Sequence, residues 1–237
     1  MILAPSHPRP EDSFAVTLRG VERHSRRHDP LAQAVDVLRR GGLVAYPTDT
    51  LYGLGADALN EAAVERVFEA KGRPEGMALP VVIGDIEQLA GVADPVPALA
   101  WRLAERFWPG ALTLVVPRSP RIPALVGSRG WKVGVRLPDH PVPRELARRI
   151  GGPITGTSAN RTGGPDPRAA ADVRAQLGDR VDLVLEEGGS PPRGHASTVL
   201  DITGPVPRVL RLGAISASAL EQVCRSPVVS GGDGVGP

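Results

Sequence analysis

Short apolar, β-prone runs alternate along this sequence with stretches of helical period, and this alternation constrains the fold more than any other feature. Runs such as LVAYP (43–47) and VGVRL (133–137) predict buried strands. Three late runs, at 182–186, 197–201 and 207–212, follow one another too closely for crossover helices between them. The pattern therefore predicts an α/β fold with a mixed sheet of about seven strands, flanked by helices.

Helix signals fill the intervals between these runs. Asn60 is a suitable N-cap for a helix that ends near Lys71. Asp166-Pro167 is typical of the cap and first turn of a helix that reaches Leu177. Other helices are expected from Leu31 to the Gly41-Gly42 stop, at 99–107, at 141–150 and at 216–224, and further strands at 79–83, 112–116 and 153–160.

The composition changes near both ends of the chain. Residues 1–28 are rich in Pro, His and Arg and show no sustained period, so we expect a flexible N-terminal extension, with one candidate edge strand at 17–21. We expect a single catalytic domain over 29–216. The end of the last helix and a disordered tail then follow over 217–237.

Charge and cysteine content narrow the functional class. Lys plus Arg exceed Asp plus Glu by 28 to 26, far from the balance of a dedicated nucleic-acid binder. The single cysteine, Cys224, excludes an internal disulfide and a cysteine-based metal cluster, and the histidines lack metal-ligand spacing, so no protein metal site is predicted. With no signal-peptide pattern and no long apolar stretch, we expect a cytoplasmic protein without membrane contact.

The turn after the first predicted strand is the first candidate binding element. Thr48, Asp49 and Thr50 precede Gly53 and Gly55. Hydroxyls at a strand end can bond a carboxylate or hydroxyl of a ligand, and glycines let a ligand approach the backbone. The alternative is an ordinary turn whose hydroxyls satisfy local amides.

A pair of cations, Lys71 and Arg73, closes the helix that begins after Asn60. Cations are favoured at a helix C-terminus and often only solvate it. Gly72 and Pro74, however, allow an irregular turn that brings both cations into one pocket. A lysine point charge beside a planar arginine fork suits a triphosphate.

Polar residues later in the chain add candidates that are each ambiguous alone. Arg136 lies in an apolar strand and needs a partner, either a structural carboxylate or an anionic ligand. Ser158 and Asn160 form a polar loop that can hold phosphate or ribose, or simply make a cap or turn. Ser197 begins one late strand and Arg211 ends another. Each can either face a ligand or be an ordinary surface residue.

These segments, taken in order, resemble the YrdC-like family of threonylcarbamoyl-AMP synthases. The matching runs cover about residues 30–215 and read AYPTDTLYGLGADA, KGR, FWPGALTLVV, VGVRLPDH, TSANRTGG, HASTVLD and VLRLGAI. The resemblance implies a twisted α/β sheet with a basic concave face, in the single-domain form that lacks the extra C-terminal domain of longer members. It also implies a nucleotidyltransferase that condenses L-threonine, bicarbonate and ATP to threonylcarbamoyl-AMP and pyrophosphate. A partner transferase complex would use this product to modify tRNA.

The resemblance further implies a role for each candidate residue. Lys71 and Arg73 would be catalytic by positioning and neutralising the phosphates, with Mg²⁺ held mainly by the phosphates themselves. The ATP-binding residues would be Lys71, Arg73, Lys132, Ser158, Asn160 and Arg211. The threonine-binding residues would be Thr48, Thr50, Arg136 and Ser197.

Three positions depart from the family pattern. Met77 and Val82 stand where many relatives carry Asn and His, and Lys132 stands where Thr is common near the nucleotide. These departures concern the fine geometry of the site and the exact amino-acid substrate.

Two other functions remain open at this stage. One is a paralogue that handles a different carbamoyl-adenylate, as a domain of a related carbamoyltransferase does. The other is a non-catalytic RNA-binding module, against which the aromatic content of 3% argues because it leaves few side chains for base stacking. In the enzyme, we expect at most a weak RNA contact.

Overall fold

The computed structural model describes residues 29–74, 76–127, 130–186 and 196–230. The helices are α1 (Pro30–Arg39), α2 (Glu61–Lys71), α3 (Leu89–Val92), α4 (Ala98–Phe107), α5 (Pro141–Ile150), α6 (Ala170–Leu177) and α7 (Ala217–Cys224). The strands are β1 (Val44–Tyr46), β2 (Gly53–Gly55), β3 (Val81–Val82), β4 (Leu112–Pro117), β5 (Lys132–Arg136), β6 (Ile154–Thr155), β7 (Thr157–Ser158), β8 (Leu183–Val184), β9 (Thr198–Asp201), β10 (Arg208–Arg211) and β11 (Val229–Ser230).

The strands form two mixed sheets. The larger has seven strands in the order β11-β10-β9-β4-β5-β3-β6, with β4 antiparallel to β5 and parallel to β9. The smaller has four strands in the order β7-β2-β1-β8. The mixed α/β architecture predicted from the sequence is therefore confirmed. The structure adds a second sheet. The run at 153–160, predicted as a strand that leads into a polar turn, divides between β6 in one sheet and β7 in the other.

The second sheet depends on β2, a segment that sequence reasoning treated as a ligand-facing loop. Gly53 and Gly55 pair with β1, and the buried ring of Tyr46 lies across both glycines. A Cβ added to either glycine would lie 2.7 Å from a ring carbon of Tyr46. The glycines thus make room for this ring. The Tyr46 hydroxyl donates to the carbonyl of Thr155 in β6 at 2.8 Å, which ties the two sheets together.

Apolar faces of the helices pack against the sheets in two clusters. The larger includes Val64, Leu103, Leu114 and Val135, and the smaller joins α1 and α5 around Tyr46. Helix α7 also packs into the larger cluster through the buried side chains Leu220 and Cys224. The domain boundary at 216 stays a prediction, although this helix and β11 continue the packed structure beyond it.

The ends of α2 match the sequence signals. The Asn60 side chain accepts from the Ala63 amide at 3.3 Å, as an N-cap does. Gly72 follows the helix in the left-handed region, with φ 59°, where glycine is favoured. The helix therefore ends where it was predicted to end, and the turn at Gly72 separates the two cations.

The predicted start of α6 is wrong. The helix begins at Ala170 rather than after Asp166-Pro167, because the Asp172 carboxylate accepts from the amides of Arg168 and Ala169 and closes the first turn there. The Pro167 carbonyl instead accepts from the Tyr52 amide at 2.9 Å. This bond attaches the segment before α6 to the segment that leads into β2.

The predicted N-terminal extension at 1–28, with its candidate strand at 17–21, lies outside the described residues, as does 231–237. Among the helices that are described, none combines the length and the apolar character needed to cross a membrane.

Candidate functional site between the two sheets

Residues of both sheets line a cavity of about 510 Å³, a size typical of small-molecule sites. One side is the face of the larger sheet that carries Lys132, Gly134 and Arg136, alternate residues of β5 that point the same way. The facing side includes Thr50 of the turn after β1 and Ser158 of β7. The fold thus brings together segments that are far apart in the sequence.

Most of the predicted site residues line this cavity, and two do not. The lining residues among them are Thr48, Thr50, Arg73, Lys132, Arg136, Ser158, Ser197 and Arg211. Lys71 and Asn160 are buried behind the cavity wall, at 2% and 6% exposure.

Arg136 is buried and bonded to protein groups on three sides. Its Nε atom donates to the Gly110 carbonyl at 2.9 Å, Nη1 to Thr50 Oγ1 at 2.9 Å and Nη2 to Asp49 Oδ1 at 2.5 Å. Burial lowers the pKa of Arg136, and the Asp49 carboxylate opposes that shift. Of the two sequence interpretations, the structural carboxylate is present. The guanidinium also lines the cavity and has more N–H groups than these bonds use, so it can hold an anion as well.

The two threonine hydroxyls of the turn differ in what they contact. Thr48 Oγ1 accepts from the amides of Thr50 and Leu51 and lies 2.7 Å from the Leu51 carbonyl, so it serves mainly the turn itself. Thr50 Oγ1 accepts from Arg136 and lies 3.1 Å from Thr48 Oγ1. The Thr50 hydroxyl is therefore the better placed of the two to meet a ligand beside the guanidinium.

Lys71 holds the loop from Ser158 to Asn160. Its Nζ atom lies 2.5 Å from the Ser158 carbonyl oxygen, 2.7 Å from that of Asn160 and 3.1 Å from Asn160 Oδ1. An ammonium has three N–H groups, and these acceptors engage them all. Burial, together with the charge of Arg73, lowers the pKa of Lys71 to about 7. In this arrangement Lys71 positions the loop from behind.

The side chains of the same loop bond one another. Ser158 Oγ donates to Asn160 Oδ1 at 2.7 Å, and Asn160 Nδ2 donates to the carbonyls of Gly164 and Pro165. Ser158 reaches the cavity, while Asn160 fixes the turn behind it. The loop is therefore held by Lys71 and Asn160 and presents Ser158.

Arg73 faces the cavity and orders the segment that follows it. Its Nη2 atom donates to the Ala78 carbonyl at 2.7 Å and Nε to the Met77 carbonyl at 3.3 Å. Burial lowers the pKa of Arg73. Met77 takes part here through its backbone, and Val82 is buried in the smaller core cluster. Of the three departures from the family pattern, Met77 thus supplies a backbone contact to Arg73 and Val82 occupies a packing position.

Arg211 and Ser197 form one unit. Arg211 donates to the Ser197 carbonyl through Nε at 3.2 Å and through Nη2 at 3.0 Å. Ser197 Oγ lies 2.9 Å from Thr113 Oγ1. Burial and the charge of Arg136 lower the pKa of Arg211, as expected for cations that share a cavity. Sequence reasoning missed Thr113, for which the available signal was a hydroxyl inside the apolar strand LTLVV.

Lys132 forms an ion pair that the sequence did not indicate. Its Nζ atom lies 2.8 Å from Asp201 Oδ2 and 4.9 Å from the ring centroid of Trp131. Burial alone would raise the pKa of Asp201, but hydrogen bonds from Lys132 and Thr203 lower it. Trp131 and Asp201 both line the cavity and were not among the predicted residues.

Comparison with known proteins agrees with the fold. The sequence model of the Sua5/YciO/YrdC family, described as Telomere recombination, matches residues 36–213. The chain is 43% identical over 202 residues to a threonylcarbamoyl-AMP synthase of Bacillus subtilis, covering 83% of this chain and 57% of that protein. It is 40% identical over 198 residues to a putative threonylcarbamoyl-AMP synthase of Mycobacterium tuberculosis, covering 84% of this chain and 90% of that one.

A solved structure gives the same result. The complex of Pyrococcus abyssi Sua5 with L-threonine superimposes with a TM-score of 0.79 at 40% identity, over 84% of this chain and 58% of that one. The chain therefore spans little more than half of some relatives and nearly all of others. Because the family model covers most of the sequence and the fold agrees with that of a relative, the chain belongs to the Sua5/YciO/YrdC family.

Proposed function

We propose that this protein is an L-threonylcarbamoyladenylate synthase, an ATP-using nucleotidyltransferase of tRNA modification. One observation carries the proposal: a single cavity is lined by Thr50, Arg136 and Ser197 on the one hand and by Arg73 and Ser158 on the other. The first set suits the carboxylate, amine and hydroxyl of an amino acid, and the second suits phosphates. Relatives that carry this activity in their names support the assignment.

The reaction needs positioning more than a protein nucleophile. The amine nitrogen of threonine forms a bond to the carbon of bicarbonate, and water leaves, which gives a carbamate. A carbamate oxygen then bonds to the α-phosphorus of ATP while the bond to the β-phosphate oxygen breaks and pyrophosphate leaves. Negative charge develops on the leaving group, so fixed cations that line the cavity lower the barrier.

The threonine carboxylate would bind Arg136, whose orientation is set by Asp49 and Gly110. Thr50 and Ser197 would bond the amine or hydroxyl, with Thr48 supporting Thr50. The relative from Pyrococcus abyssi, solved as a complex with L-threonine, supports an amino acid in this fold.

ATP phosphates would meet Arg73, Arg211 and the Ser158 loop, with Lys71 and Asn160 holding that loop in place. The cavity lining contains the cations Arg73, Lys132, Arg136 and Arg211 and the carboxylates Asp166 and Asp201. Positive side chains thus outnumber carboxylates in the cavity lining, which favours the binding of a polyanion such as a triphosphate. Lys132, the residue that replaces the common Thr, would lie at the nucleotide.

Mg²⁺ would be held mainly by the phosphates. Among the described residues, no group of three or more His, Cys, Asp or Glu side chains is arranged to hold a metal ion, and the Asp201 carboxylate is already bonded to Lys132 and Thr203. An ion bound here would therefore take most of its ligands from phosphate and water, as Mg²⁺ commonly does. When bound, the ion neutralises charge on the departing pyrophosphate.

The product would pass to a transferase complex that modifies an adenosine of tRNA, with at most weak RNA contact by this chain and with the cytoplasm as the compartment. The catalytic unit would comprise the segment 29–216.

The test is pyrophosphate release from ATP and bicarbonate, with and without L-threonine, together with mass spectrometry of the adenylate. We expect release that depends on threonine. Release without threonine, or with a different amine only, would instead indicate a paralogue that handles another carbamoyl-adenylate. Strong, salt-dependent tRNA binding with no turnover would indicate an RNA-binding module.

A matched pair of variants on one strand connects the activity to the cavity. Arg211→Ala removes a cation that lines it, and Arg208→Ala removes an exposed cation of the same strand β10. We expect activity to fall at least about tenfold in the first, since a charge-assisted bond is lost. The second should keep it. Equal activity of the two variants would contradict the proposed site.

A further inference from the structure

Trp131 is a large aromatic side chain left in contact with solvent at the edge of the cavity. It is 59% exposed and lines the cavity, whereas Trp108 is 8% exposed. The backbone of Trp131 is fixed, because its carbonyl accepts from the Arg118 amide at 2.7 Å. The indole therefore starts from a fixed backbone position at the cavity, lies beside the Lys132 ammonium and offers an aromatic surface to a ligand that enters.

The opposite charges of Lys132 and Asp201 neutralise each other beside Trp131. The Lys132 ammonium lies 2.8 Å from the Asp201 carboxylate and 4.9 Å from the Trp131 ring centroid. The positive charge that approaches the ring is thus matched by a carboxylate. Arg211, in contrast, donates to uncharged atoms of Ser197, so its charge is available to a phosphate.

The floor beside Trp131 includes a glycine and an apolar side chain, Gly134 and Val115. Gly134 pairs with Val115, and Val115 pairs with Asp201 on the next strand. A Cβ on Gly134 would approach Pro80 and Thr113 at 3.3 and 3.4 Å, so any side chain there would fill space that the cavity now includes. Leu210, which is 36% exposed, adds a further apolar wall.

We propose that Trp131 is a base-recognition residue, which stacks on the adenine ring of ATP above the floor formed by Gly134 and Val115. This inference rests on the proposed function and names the part of the cavity that takes the nucleobase. A nucleotide has a polyanionic end and a planar, uncharged aromatic end. Arg73 and Arg211, which donate to backbone carbonyls, suit the first. The exposed indole, beside Gly134, Val115 and the paired charges of Lys132 and Asp201, suits the second.

The experiment compares Trp131→Ala and Trp131→Phe with the wild type in calorimetric titrations of ATP, AMP and tripolyphosphate. Leu212→Ala is the control, since Leu212 is 63% exposed and does not line the cavity. Loss of one stacked aromatic should weaken ATP and AMP binding about tenfold in Trp131→Ala. Trp131→Phe should keep most of the affinity, and tripolyphosphate binding should be unchanged in both.

Fluorescence gives an independent readout, because ATP should quench emission in the wild type and the quenching should disappear in Trp131→Phe, which retains Trp101 and Trp108. Equal ATP affinity of Trp131→Ala and the wild type would overturn the inference and leave the proposed function standing. An equal loss of tripolyphosphate affinity would also overturn it, since the residue would then act on phosphate. If the wild type bound no ATP at all, both the inference and the proposed function would fail.

Discussion

The Nζ atom of Lys71 lies 2.7 Å from the carbonyl oxygen of Asn160, a residue 89 positions later in the chain. The same ammonium also bonds the Ser158 carbonyl and the Asn160 side chain. Its three N–H groups are therefore engaged by the loop that presents Ser158 to the cavity. The paired signature Lys-x-Arg and Ser-x-Asn is, in this molecule, one hydrogen-bonded structure, in which Arg73 and Ser158 face the cavity and Lys71 and Asn160 stand behind them.

Replacing Lys71 should therefore affect folding as well as catalysis. In Lys71→Met the buried carbonyls of Ser158 and Asn160 lose their donor, which should lower the free energy of unfolding by about 1–3 kcal/mol. Turnover should fall at least about a hundredfold, because a misplaced loop loses near-attack geometry. Urea unfolding and pyrophosphate release measure the two effects. Lys132→Met is the control for stability, since its ion pair is partly exposed. Full stability with lost activity would show that Lys71 acts on the phosphates alone.

The pH dependence of stability should reveal the ionisation of Lys71. Its pKa is lowered to about 7 in the folded protein, from an ordinary value of 10.5, by burial and then by Arg73. Above pH 7 the folded state then releases a proton that the unfolded state keeps, so the free energy of unfolding should rise with pH until about 10.5. The slope from this group is at most about 1.4 kcal/mol per pH unit. It should be absent in Lys71→Met. If the two proteins show parallel pH profiles, the bonded carbonyls keep the ammonium charged and its pKa near the ordinary value.

Sequence reasoning could predict the elements whose signals are local. Helix α2 begins after Asn60 and ends at Gly72 because capping and the left-handed turn depend on a few neighbouring residues. The apolar run at 133–137 likewise predicted a strand, which the structure places at 132–136. The start of α6 was missed because Asp172, inside the helix, competes as a capping group with Asp166.

Contacts between distant segments could not be predicted in this way. Lys132 meets Asp201 because β5 and β9 flank β4 in one sheet, an order that no local pattern encodes. The role of Gly53 likewise depends on the ring of Tyr46 from the adjacent strand. The candidate site was largely predictable because the resemblance carried long-range information that composition and periodicity lack.

The packing of Tyr46 against β2 predicts a strong effect of one added methyl group. In Gly53→Ala the new Cβ would lie 2.7 Å from the buried ring, and the ring is bonded to Thr155 in the other sheet. We expect a loss of about 1–3 kcal/mol in the free energy of unfolding. Gly91→Ala is the matched control, because no atom lies within 4 Å of its added Cβ and the residue is in helix α3. It should be neutral or slightly stabilising. Similar unfolding curves for the two variants would contradict the tight contact.

The anchoring of Arg136 by Asp49 predicts a selective effect on the amino-acid substrate. In Asp49→Asn the guanidinium loses its buried, charged partner at 2.5 Å and with it part of its orientation beside Thr50. We expect the KM for threonine to rise about tenfold or more, since bonds to charged groups contribute about 1.5–3 kcal/mol. The KM for ATP should change little.

The matched control for this prediction is Asp85→Asn, which breaks an ion pair with Arg148 that is exposed and away from the cavity. Exposed pairs contribute little, so both KM values should stay as in the wild type. Steady-state pyrophosphate release, with threonine and ATP varied in turn, separates the two constants. An equal rise of both KM values in Asp49→Asn would mean that the substitution disturbs the whole cavity. In that case the orientation of Arg136 would not be specific to threonine, and its assignment to the carboxylate would have to be abandoned.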